Sequence, residues 1–79
     1  MNKTEMIKTL TSIVEGKPAT RKACKEAVAM AANLNPNLLT YGVEENGTEA
    51  EKLLIAIING NSDYWCFGRM EIVKANENK

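Results

Sequence analysis

The stretch YWCFGRMEIV, Tyr64 to Val73, decides the fold class of this 79-residue chain. Read as a β-hairpin, Gly68-Arg69 forms a two-residue type II′ turn, which wants glycine first. That register pairs Phe67 with Met70 and Trp65 with Ile72, so these apolar side chains share one face. Cys66 with Glu71 and Tyr64 with Val73 fall on the other. Read as a helix, the stretch is capped by Ser62 or Asp63 and carries Gly68 at a cost of about 1 kcal/mol. The hairpin is the expected form, because β-branched and aromatic residues dominate and the pairing is self-consistent. From about Ala75 to Lys79 the chain reads as a polar tail.

Upstream of this stretch the pattern is helical. Thr48 followed by Glu51 is a capping box. Ala50, Leu53, Leu54, Ile57 and Ile58 form a buried stripe, which Ile55 and Ala56 widen almost all round, so this third helix is expected at the centre. Asn59-Gly60-Asn61 stops it. Residues 35–47 are ambiguous: Asn35 can cap a short turn at Pro36 with Leu38 and Leu39 inward, or Tyr41-Gly42-Val43 can form a short strand. Glu45-Asn46-Gly47 is turn chemistry.

Residues 19–34 are alanine-rich and strongly helix-forming. Pro18 suits the first turn there, and Pro36 closes the segment. The inward face reads Cys24, Ala27, Val28, Ala31 and Leu34. The first helix is capped by Asn2 with Glu5, carries Met6, Ile7, Leu10, Ile13 and Val14 on one stripe, and ends at Gly16. The expected fold is therefore α+β: three helices with a C-terminal β-hairpin in a single small domain. The alternative is an all-α four-segment bundle.

Composition narrows the function classes. The chain is 44% hydrophobic and 25% charged, which is ordinary for a folded domain. Its longest apolar run, Leu53 to Ile58, is too short to span a membrane. The N-terminus lacks the look of a secretion signal, so a cytoplasmic protein with Cys24 and Cys66 reduced is expected. Ten basic and ten acidic residues balance. That argues against a general nucleic-acid binder, which needs a large positive field. The charges are segregated, however: residues 1–26 carry a net +3 and residues 27–63 a net −4.

The chain has no histidine. The commonest general base and the commonest metal ligand are thus missing, and no cofactor-binding motif occurs. Cys24 and Cys66 read as small core residues. The carboxylate pairs Glu44-Glu45 and Glu49-Glu51 read as favourable charge near a helix start. No catalytic residue, metal site or cofactor is expected, and the chain reads as a non-enzyme.

Two features point to binding. Lys17, Arg21, Lys22 and Lys25 crowd the start of the second helix, where the helix dipole disfavours cations. Free N–H groups beside fixed cations suit an anion or an acidic partner surface. Three of the four aromatic residues lie within Tyr64 to Phe67. Core packing is their default role. As a partner-binding patch, Tyr64, Trp65, Phe67 and Arg69 would form a hot spot.

A helix-turn-helix is disfavoured because residues 35–47 are far longer than its turn, and the third helix is apolar and acidic at its start. The lysine, asparagine and isoleucine richness is in the general style of small proteins from low-GC bacteria or their phages, with no family motif matched. The expected function is a small protein-binding module of inhibitor or adaptor type, a phage-like regulator acting on a larger intracellular protein. The alternative is a nucleotide-phosphate or other small-ligand binder acting as a homo-oligomeric sponge, with a nucleic-acid binder ranked third.

Overall fold

The computed structural model describes residues 1–43, 45–60 and 63–77. They form five helices: α1 (Lys3–Glu15), α2 (Arg21–Leu34), α3 (Leu38–Tyr41), α4 (Glu49–Asn59) and α5 (Trp65–Glu77). No strand occurs among the described residues. The expected α+β class is thus overturned, and the all-helical alternative gains a fifth, short segment. The strand considered for Tyr41 to Val43 is absent as well.

The local signals explain most helix ends. Asn2 Oδ1 accepts from the Glu5 N–H at 2.8 Å, and Asn2 Nδ2 donates to Glu5 Oε1 at 3.3 Å, closing the capping box of α1. Gly16 ends α1 at φ 72, a left-handed conformation that costs glycine nothing. At α4, Thr48 Oγ1 accepts from the Glu51 N–H at 3.3 Å and donates to Glu51 Oε1 at 3.0 Å. Glu51 also accepts from Asn35 Nδ2 at 3.3 Å, tying the start of α4 to the end of α2. This carboxylate is a structural cap, as its position suggested. Glu44 and the candidate cap Ser62 lie outside the described residues.

Two boundaries differ from expectation. Pro18 sits in the α1–α2 connection, and α2 starts at Arg21 because Thr20 caps it, its side chain accepting from the Ala23 N–H at 3.2 Å. The segment read as a tail from Ala75 continues α5 as far as Glu77.

The core is built from the predicted stripes with exchanges at their edges. Met6, Leu10, Ala27, Val28, Ala31, Leu38, Ala50, Leu54, Ile57, Ile58 and Ile72 are buried together. Leu34, the last residue of α2, is exposed, and Ala32 takes the inner place. Leu39 and Val14 are exposed as well. α2 and α4 pack on each other, and each also packs on α1 and α5. The central position expected for α4 alone is thus shared with α2.

Helical geometry at α5 wins because its inner residues lie at helical rather than strand spacing. Gly68, Ile72 and Ala75 are buried at i, i+4 and i+7. A Cβ added at Gly68 would stand 3.2 Å from Ile58 Cγ1 and 3.5 Å from Leu54 Cδ1. The glycine that suggested a turn instead packs closely against α4. Helix–helix packing overrides the β-propensity of the stretch, which is a preference for surroundings more than for backbone shape.

Candidate functional site

The structure divides the aromatic cluster. In a helix, residues two apart point to opposite sides. Phe67 accordingly turns to α2 while Trp65 lies on another flank of α5. Phe67 packs against the core, and Lys25 Nζ sits 5.5 Å from the centroid of its ring. Such a cation–π contact contributes about 0.5–1 kcal/mol at an exposed position. Tyr64, just before α5, also packs on the core and is hydrogen-bonded to the Cys24 side chain. Burial, and then that hydrogen bond, push the Tyr64 phenol above its ordinary value near 10, while the nearby Arg21 charge pulls the other way. Tyr64 therefore stays protonated at neutral pH.

The two groups of residues singled out in the sequence thus meet in part. Arg21, Lys22 and Lys25 are exposed along the first turns of α2, and Tyr64 and Phe67 stand beside them at the start of α5. Trp65 is 48% exposed and Arg69 is exposed, on a flank where neither joins this surface. Cys66 is exposed rather than a core residue, because the helix turns it away from α4; Cys24 is buried as expected.

Lys17 contributes less free charge than its position suggested. Its Nζ lies 2.7 Å from Glu15 Oε2. The hydrogen bond to Glu15 and the carboxylate charge raise the lysine pKa, so the pair is internally neutral. Arg21 and Lys22 form no ion pair among the described residues. Thr20 satisfies one N–H of the first turn of α2. The N–H groups of Arg21 and Lys22 precede the first bond of the helical ladder, which runs from the Cys24 N–H to the Thr20 carbonyl at 3.0 Å.

Beside this helix end lies a shallow cavity of about 330 Å³, between the α1–α2 connection and the start of α5. Lys17, Pro18, Cys24, Asp63 and Tyr64 are among its lining residues. Its size is at the low end for small-molecule sites. Asp63 reads in the sequence only as a candidate helix cap, not as a site residue. Nothing local marks it as part of a cavity wall, since that place depends on α5 packing against α2.

Among the described residues no group of three or more carboxylate or cysteine side chains is placed to hold a metal ion, and no helix is long and apolar enough to cross a membrane. The arrangement offers fixed positive charge and backbone donors, with the Asp63 carboxylate and the Tyr64 phenol, already hydrogen-bonded to Cys24, in the cavity wall. Those groups can hold an anion by charge and hydrogen bonding. Comparison with known protein families, with curated proteins and with solved structures finds no match to this chain.

Proposed function

We propose that this chain binds a phosphate-bearing small ligand at the N-terminal end of α2, without catalysing a reaction on it. One observation carries the reading. Arg21 and Lys22 stand unpaired, among the described residues, at the positive end of a helix; neither lines the nearby cavity, which this helix reaches through Cys24. Each cation there costs about 0.3–1 kcal/mol against the helix dipole. No compensating ion pair offsets that cost. Departures from a local rule concentrate at functional or strained sites. An incoming phosphate would meet both cations and the outward N–H groups of the first turn. Single-stranded nucleic acid fits less well, because Lys25 already covers one face of the Phe67 ring and limits base stacking.

Titration with inorganic pyrophosphate, followed by amide chemical shifts, tests this reading. The Arg21, Lys22 and Ala23 amides should shift at millimolar ligand, and added salt should suppress the shifts. Lys22→Glu should abolish them. It should also raise thermal stability slightly, since an acidic side chain suits that position. Unmoved amides at low salt would remove the proposal, as would full binding by the variant.

A protein partner is the second reading, of the inhibitor or adaptor kind. It is favoured by the outer side of α5, where Trp65, Met70 and Val73 are each nearly half exposed. Trp65→Ala should leave the melting temperature within a few degrees and abolish capture of the partner. A large drop in melting temperature would assign Trp65 to the fold instead. For either reading the proposed setting is the cytosol, where Cys24 and Cys66, both unpaired here, stay reduced.

A further inference from the structure

We draw no further inference here: the strongest candidate, the apolar outer face of α5 at Trp65, Met70 and Val73 beside Leu39 of α3, carries nothing because nothing in the structure shows what covers it.

Discussion

Leu54→Ala should cost roughly 2–5 kcal/mol, the range for removing a fully buried leucine side chain and leaving a cavity. Leu54 is 0% exposed, and it lies at the α4–α5 contact, with Cδ1 3.5 Å from where a Gly68 Cβ would stand. The surroundings cannot readily collapse onto the gap, because α4 is held from more than one side by α1, α2 and α5. Domains of this length are stable by about 4–12 kcal/mol in all. This core leans on alanines at positions 27, 31, 32, 50 and 75, and the three aromatics from Tyr64 to Phe67 stay at its margin, so the lower half of that range applies. A loss of this size lowers the melting temperature by roughly 10–30 °C in a domain of fewer than 100 residues. Thermal unfolding followed by circular dichroism at 222 nm reads it directly. Ala56→Ser, on the exposed side of the same helix, serves as the control and should shift the midpoint by no more than a few degrees. Equal effects from the two substitutions would contradict the packing of α4.

Gly68 yields the second large effect, and a pair of substitutions separates its causes. Gly68→Ala gains about 1 kcal/mol of helix propensity. Against this, the new Cβ meets Ile58 Cγ1 at 3.2 Å, close enough that the isoleucine must give by a few tenths of an ångström. The two terms oppose, so the alanine variant should stay near the parent in stability. Gly68→Val carries further methyl groups into the same contact and lacks alanine's helix propensity. Overpacking of this kind costs roughly 1–3 kcal/mol. Urea unfolding of the three proteins should therefore place alanine beside glycine and valine well below both. A hairpin predicts another order. There Gly68 would hold a positive φ, and alanine itself would cost more than 1 kcal/mol.

That contrast shows why the C-terminal stretch misread while the rest of the helical pattern did not. Helices α1 and α4 carry their own boundaries: Asn2, Gly16 and Thr48 each act within a few residues of where they stand. The apolar residues of α1 also fall largely on one side, and the apolar run of α4 sits behind an unambiguous cap. α5 has apolar residues both inward, at Ile72 and Ala75, and outward, at Met70 and Val73. A helix apolar on two sides loses its 3.6-residue signature and leaves an alternation that fits strands equally well. What decides the matter is the fit of Gly68 against Ile58, a contact between two helices that no pattern within α5 alone reveals.

The candidate site divides along the same line. The basic residues at the start of α2 were legible as an exception to the dipole preference. Thr20 was missed as the cap because Pro18 offered a competing start. That Tyr64 and Phe67 join these cations, while Trp65 and Arg69 do not, follows only once α5 is a helix lying along α2. The pairing of Lys17 with Glu15 spans a helix end that Gly16 bends, so linear spacing gave no sign of it.

The bundle, and the placing of Tyr64 and Phe67 beside the proposed anion site, rest on α5 being helical and holding Phe67 under Lys25. Proton NMR of the folded chain reads that contact. Side-chain protons of Lys25 should be shifted upfield by the ring and show cross-relaxation to Phe67, while the Cα shifts from Trp65 to Glu77 are helical. Extended-strand shifts across Tyr64 to Val73, with no Lys25–Phe67 cross-relaxation, would contradict the account.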